Sequence, residues 1–452
     1  MRSLRTSLLV IGILGCCFAA AAAAEKPANE PFFPQAGNRG YDALRYNLDL
    51  RYHPQGRRID ARAAMVAEAT DRLSRLSLDF FGPRVSEVDV GGVPADFRRR
   101  PGKLIVVPKQ PIVAGGVFAV RVEYSGTPPK VTDPDGTQEG WYPTDDGVLA
   151  VGEPQGTAAW IPCDNVPTDK ALFAFAVSVP RGLKAVANGR LEAVLRKHGE
   201  ATYVWGVGPQ PMSTYLALLD IGQGRLVKSS AAGVPAWTLV DPRLEKQADP
   251  VLASLPEIVR FESGIYGEYP FKAAGSAVDS APGLGYALET QTRPIYPYVP
   301  DLTTVVHETA HQWFGDSVGL KRWPEIWLNE GFATWTEWYY AERHGRRSAH
   351  AIFDRLYRVP ASNTAFWNPP SAHPGTPKNL FGPSTYIRGA MALEALRLKI
   401  GTKPMLRVLR DWTTGHRSSS GTIEQFEALA EEVSGQGLGP FFQRWLYRRG
   451  KP

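Results

Sequence analysis

The chain has 452 residues, 43% of them hydrophobic and 21% charged, which is ordinary for a globular protein and enough for two or three domains around a sizeable core. A net charge of +6 is small for this length, and the one dense basic run, Arg98-Arg99-Arg100, precedes a Pro-Gly turn and reads as a solvated loop, so nucleic-acid binding is excluded. Only three cysteines occur (Cys16, Cys17 and Cys163), too few for a disulfide framework.

At the amino end, Arg2 and Arg5 precede an apolar run from Leu8 to Cys17 and the alanines Ala19 to Ala24. This is the pattern of a secretory signal peptide over residues 1–24, cut after Ala22-Ala23-Ala24, and it predicts export to the periplasm or the extracellular space. The apolar core is short for a membrane-spanning helix. Removing the segment takes away two positive charges and leaves +4. Ile13-Leu14-Gly15-Cys16 loosely resembles a lipidation box, so attachment to a membrane is expected only through a lipid on Cys16. Cys163 then stands alone between Pro162 and Asp164, and a structural role is expected for it.

Residues 31–226 read as a β domain. Leu44, Tyr46, Leu48, Leu50 and Tyr52 alternate with Arg45, Asn47, Asp49 and Arg51, the period of a half-buried strand. Phe118, Val120, Val122 and Tyr124 repeat the pattern, as do Phe173, Phe175, Val177 and Val179. Gly91-Gly92, Pro101-Gly102, Gly115-Gly116 and Asn188-Gly189 punctuate the runs as turns. Antiparallel sheets with one polar face are the expectation.

Residues 227–452 read as mostly helical. One helix runs through Leu393, Leu396 and Ile400 to Gly401. Another opens on Thr422 with Gln425 three residues later, a capping box, and carries Phe426, Leu429 and Val433 to a stop at Gly435. The fold class is therefore α+β: an N-terminal antiparallel β domain, then a mostly α domain.

Chemistry concentrates in His307-Glu308-Thr309-Ala310-His311. On a helix, residues four apart share a face, so both imidazoles can meet one ion, and Glu308 can reach a water bound to it. Pro300 and Asp301 mark the start of the helix, and its end is expected near Gly315. A catalytic zinc takes three protein ligands and keeps one position open. Glu330, on a second helix predicted to begin near Glu325 after a turn at Trp323-Pro324, is the third ligand expected. With 8 histidines in the chain, a chance His-Glu-x-x-His arises in roughly one chain per hundred, and a placed later Glu makes coincidence about twenty times rarer.

The segment from His307 to Val318 is similar to the zinc helix of the gluzincin metalloaminopeptidases, peptidase family M1, which includes aminopeptidase N and leukotriene hydrolase. Trp327-Leu328-Asn329-Glu330-Gly331-Phe332-Ala333 resembles that family's second helix. Glu153-Pro154, Trp160-Ile161-Pro162-Cys163-Asp164 and Asp169-Lys170-Ala171 resemble its pattern late in the β domain. Ser384-Thr385-Tyr386-Ile387-Arg388-Gly389-Ala390 looks like its catalytic-tyrosine segment, and Phe441 to Leu446 like the end of its catalytic domain. Two departures stand out. The family's Gly-Ala-Met-Glu-Asn motif is here Gly285-Tyr286-Ala287-Leu288-Glu289-Thr290, with Thr290 in place of the Asn. The chain also ends at Pro452, resembling the short two-domain form.

The resemblance implies a saddle-like β domain and a thermolysin-like catalytic domain. It further implies one Zn2+ per chain on His307, His311 and Glu330, with Glu308 as general base and Tyr386 stabilising the oxyanion. Glu289 and Glu153 would hold the free ammonium of a peptide substrate. Three other readings stay open on the sequence: a zinc endopeptidase lacking the ammonium anchor, a hydrolase of lipid epoxides, and a non-catalytic binding protein on a peptidase fold. Glu289 speaks against the first. The joint presence of His307, Glu308, His311, Glu330 and Tyr386 speaks against the last.

Overall fold

The structure is a computed structural model that describes residues 30–452; the segment read as a signal peptide, with Cys16 and Cys17, lies outside the described residues. The first half is mostly β. Its largest unit is a nine-stranded sheet whose centre is formed by Lys170–Pro180, Tyr41–His53, Arg58–Ala69 and Val117–Gly126. The alternation read from the sequence holds there: Tyr46, Leu48, Leu50 and Tyr52 are buried, and Arg45, Asp49 and Arg51 face solvent. The register against Arg58–Ala69 shifts between Ala43 and Arg45. One extra residue reverses the faces, so Tyr41 and Ala43 are buried and Leu44 is pushed half out of the core.

Two expectations are corrected. The sheet is not wholly antiparallel, because Tyr41–His53 pairs in parallel with Lys170–Pro180, Leu48 opposite Phe175. The basic run is not a loop: Asp96–Arg100 is an exposed strand paired with Lys103–Val107. Arg99 folds back to donate to the carbonyls of Phe80 (2.6 Å) and Pro83 (3.3 Å) and lies over the Phe80 ring.

The second half is a helical domain built against a four-stranded sheet, Arg225–Ala231, Val234–Val240, Ala274–Val278 and Ile295–Tyr296, in which the last two pairings are parallel. Its helices include Leu302–Ala310, Trp327–Arg343, Gly389–Ile400, Thr402–Gly415 and Ile423–Ser434. The last carries the expected capping box, Thr422 with Gln425, and ends at Gly435 in the left-handed conformation. Among the described residues no helix is long and apolar enough to cross a membrane.

Buried polar groups hold the two halves in register. Arg293, fully buried, donates to the carbonyls of Ala187, Gly189 and Trp237 and lies 4.6 Å from the Trp205 ring centroid. Asn188 donates to Gln291 O and Gly189 N to Thr292 Oγ1, while Lys170 Nζ donates to the carbonyls of Asp316 and Ser317. A charged donor buried in this way must satisfy its protons on carbonyls, which fixes its geometry. These bonds pin the segment 290–293 and the turn after Leu302–Ala310, the two pieces of chain that flank the site.

Candidate active site

Asp301 caps the helix Leu302–Ala310, its Oδ1 accepting from Thr304 N at 2.7 Å, and Val305 and Val306 bury the opposite face. The helix stops at Ala310 rather than near Gly315, with His311 as its C-cap residue. Gly315 has φ +128, and a Cβ there would lie 3.1 Å from Asn329 Nδ2 and 3.5 Å from His311 Nδ1. Only glycine suits that conformation and that approach. The resulting turn brings Phe314 O to 2.9 Å from His311 Nδ1.

The second helix runs Trp327–Arg343 after a short turn at Trp323–Glu325, close to where the sequence placed it. It brings Glu330 Oε2 to 3.2 Å from His307 Nε2 and 3.4 Å from His311 Nε2. His307 Nδ1 meets Glu337 Oε1 at 2.6 Å. Each imidazole is thus held through Nδ1 and presents Nε2 to one point, the arrangement in which an outer partner fixes the tautomer of a metal-binding histidine. Glu337 escaped the sequence reading, although its place two turns after Glu330 on one helix face was the available signal.

Tyr386 arrives from a third element. Gly331 and Gly389 face each other, and a Cβ on Gly331 would lie 3.0 Å from Gly389 Cα. That contact seats the turn Ser384–Arg388 against the second helix, with the Tyr386 ring centroid 6.0 Å from that of His307. The buried guanidinium of Arg388 fastens the same turn by donating to the carbonyls of Trp445 and Arg448.

Glu289 enters from the catalytic half and Glu153 from the β half. Gln312 Nε2 donates to Glu289 O at 2.8 Å, and Thr290 Oγ1 donates to Arg293 O at 2.6 Å. Threonine thereby anchors the backbone at the position where the family has Asn. Glu139 accepts from Gln155 N at 2.9 Å and so holds the turn carrying Glu153. Glu153 and Glu289 are buried, and each leaves Oε1 without a partner.

Three overlapping triads have ligand atoms within 4.8 Å of one another: His307, His311 and Glu330; Glu289, Glu308 and His311; Glu153, Glu289 and Glu330. With Tyr386, all seven residues selected from the sequence line one cavity of about 430 Å³, with Asp135, Tyr286 and Phe381 also on its wall. Four of these side chains, Glu153, Glu289, Glu308 and Glu330, are buried carboxyls. Burial raises Glu153 well above the usual carboxylate range and Glu289 adds to it, while burial also raises Glu289 against the pull of His311. Burial lifts Glu308 to about 7, again opposed by the histidines. For Glu330 burial loses to His311 and His307, which hold it at about 2. Burial, then Glu330 and Glu153, keep the Tyr386 phenol protonated far above its usual range, so it is a donor. Such a cavity calls for cations.

Two family sequence models match the chain. The Peptidase M1 N-terminal domain matches residues 42–216 and the Peptidase family M1 domain matches residues 298–445. The chain belongs to peptidase family M1. It is 25% identical over 419 residues to a leucyl aminopeptidase of Saccharolobus solfataricus, covering 83% of this chain and 50% of that protein. It is 24% identical over 327 residues to a glutamyl aminopeptidase of Bos taurus, covering 66% of this chain and 34% of the relative. The chain therefore spans half the length, or less, of these curated relatives. An M1 zinc metallopeptidase from Deinococcus radiodurans superimposes with a TM-score of 0.85 at 28% identity, over 94% of this chain and 97% of that one. A mutant of it bound to a Tyr-Ser-Ala substrate superimposes at 0.83 with 27% identity, over 94% of this chain and 98% of that one.

Proposed function

We propose that this M1-family chain is a zinc-dependent aminopeptidase that hydrolyses the first peptide bond of peptides bearing a free α-amine. The observation that carries the proposal is the juxtaposition of two unlike carboxylate groupings within one cavity. The His307, His311 and Glu330 triad offers two nitrogens and one oxygen, the donor set of a catalytic zinc with an open position. Beside it, Glu153 and Glu289 are buried, and each leaves its Oε1 without a partner.

The residues fit zinc by their chemistry: both Nε2 atoms face Glu330 Oε2, and both Nδ1 atoms are occupied elsewhere. Zinc bound there supplies a Lewis acid that lowers the pKa of water and polarises the scissile carbonyl. Glu308 takes the proton of the attacking water and passes it to the leaving nitrogen. The Tyr386 hydroxyl donates to the developing oxyanion. Glu153 and Glu289 pair with the substrate's ammonium and so set the cut one residue from the chain end. An endopeptidase would have no use for two buried, unpartnered carboxylates at this distance from the triad. The leader over residues 1–24 makes export part of the proposal, tested by the amino-terminal sequence of the protein recovered outside the cytoplasm.

The decisive experiment is metal analysis of the purified protein together with turnover of aminoacyl amides. One zinc per chain is expected, with activity lost on chelation and restored by zinc. A double variant His307→Ala, His311→Ala that still carries one zinc would refute the metal assignment.

A further inference from the structure

A second group of carboxylates lies away from the catalytic cavity, at the seam between the two halves. Val234–Val240 and Ala274–Val278 run parallel, so Asp241 and Asp279, each one residue past its strand, emerge at the same edge, where Asp241 N donates to Val278 O at 2.8 Å. From the β half, Asp220 on the strand Leu219–Gly222 and Asp146 on the turn before Val148–Val151 face that edge. The four aspartates, with Gly222, Gln223, Gly224, Leu239 and Val278, line a cavity of about 10 Å³, and no cationic side chain is on its wall.

The hydrogen bonds show what is left free. Asp241 is fully engaged by Arg243. Asp146 Oδ2 accepts from Gln223 N and Asp279 Oδ1 accepts from Ser280 N, each at 2.7 Å. Their other oxygens, Asp146 Oδ1 and Asp279 Oδ2, are buried without a partner. Both flank Gly222, where a Cβ would lie 3.1 Å from the first and 3.6 Å from the second. Asp220, 1% exposed, accepts from no N–H or hydroxyl at either oxygen, and its carboxyl lies within hydrogen-bond reach of that of Asp279. Buried carboxylates in this state need a cation or a proton.

We propose that Asp146, Asp220 and Asp279 bind a hard divalent cation, calcium, that clasps the β half to the catalytic half. An all-oxygen donor set selects calcium or magnesium over zinc, and irregular spacing favours calcium, which tolerates 6–8 ligands in flexible geometry. Among the described residues only the catalytic cavity brings three ligand atoms within 4.8 Å of one another. The ion is therefore held by the facing pair Asp220 and Asp279, and Asp146 adds its negative charge from farther off. The cavity has room for one such small guest. The competing occupant is a single proton shared by Asp220 and Asp279.

The test titrates the zinc-loaded full-length protein, desalted free of other divalent ions, with calcium chloride or magnesium chloride while following thermal unfolding and binding heat. A saturable calcium-dependent rise of a few degrees in Tm is expected by about 10 mM, with a weaker magnesium response. Asp220→Asn should abolish the rise while zinc content and peptidase turnover stay at wild-type levels. Asp146→Asn, at a half-exposed position, should weaken calcium binding by at least about tenfold, should Asp220→Asn fail to fold. Four results overturn the proposal: no calcium response in the wild type, an undiminished response in the Asp220→Asn or Asp146→Asn variant, an equal response to magnesium, or an Asp220→Asn protein as stable as wild type in saturating calcium. The last would assign the site to a shared proton, because an Asn amide replaces that proton as donor.

Discussion

His307 Nδ1 lies 2.6 Å from Glu337 Oε1, on the side of the ring opposite the Nε2 that faces Glu330. A carboxylate behind a metal-binding imidazole fixes its orientation and raises its basicity, and losing such a partner typically lowers metal affinity about 10–100-fold. Glu337→Ala should weaken zinc binding by that factor in a chelator competition while leaving kcat near wild type at saturating zinc. Glu337→Gln, which still offers an oxygen, should fall between. Equal zinc affinity in all three proteins would show that the contact orients nothing.

The proposed base and the proposed oxyanion donor separate by what each substitution leaves behind. Glu308→Gln keeps the shape and all three ligands, so zinc content should be unchanged and kcat should fall by about 10²–10⁴-fold. Tyr386→Phe removes one hydroxyl and should lower kcat by about 10²–10³-fold with little change in KM. If Tyr386→Phe retained wild-type kcat, the ring contact with His307 would be its whole role.

The residues that line the cavity were legible because the chemistry proposed for them forces a spacing. Two imidazoles on one helix face need positions four apart, as His307 and His311 are, and the Glu330 segment repeats a family motif. Glu337 was missed although it lies two turns after Glu330, since a lone acidic residue late in a helix is ordinarily solvated. Alternation located the strand Tyr41–His53 but not its bulge, because Leu44 is as apolar as the neighbours whose face it leaves. The strand Ala274–Val278 was missed for a different reason: Ala274-Gly275-Ser276-Ala277 are small residues without period, and the strand forms because they allow close packing, with Gly275 against the Trp237 backbone. Helix termination at Ala310 was set by the turn that Gly315 permits, a tertiary consequence of Asn329 lying beside it.

Asp133 and Glu139 form a buried acidic pair behind the Glu153 turn. Burial raises Asp133 to about 7 and Glu139 well above its usual range, with Asp133 adding to the latter. A carboxyl whose folded pKa is raised contributes stability below its unfolded pKa, near 4, and loses that contribution as pH rises through the folded value. Asp133→Asn should therefore gain in Tm relative to wild type between about pH 5 and pH 8, and the two should differ least favourably for the variant at the acid end. A Tm difference independent of pH across that window would mean that the pair is not a titrating unit in the folded protein.

The last prediction concerns how the enzyme counts residues. In the proposed mechanism the triad and Glu308 act on a carbonyl and cannot tell the first peptide bond from any other. Recognition of the chain end has to come from groups that hold an ammonium, and Glu153 and Glu289 are the buried carboxylates that leave oxygens unpaired beside the triad. Acetylating a substrate's amine removes the charge and leaves both carboxylates buried against an amide, a mismatch that typically costs several kcal/mol. Cleavage of acetylated peptides should therefore nearly vanish. Glu289→Ala should raise KM strongly for free-amine substrates and shrink the preference for free over acetylated ends, and Glu153→Ala should do the same. Their double variant should lose less than the product of the single losses, since one ammonium is shared between them. Rapid cutting of acetylated peptides at internal bonds by the wild type would make the protein an endopeptidase and leave Glu153 and Glu289 without the role assigned to them.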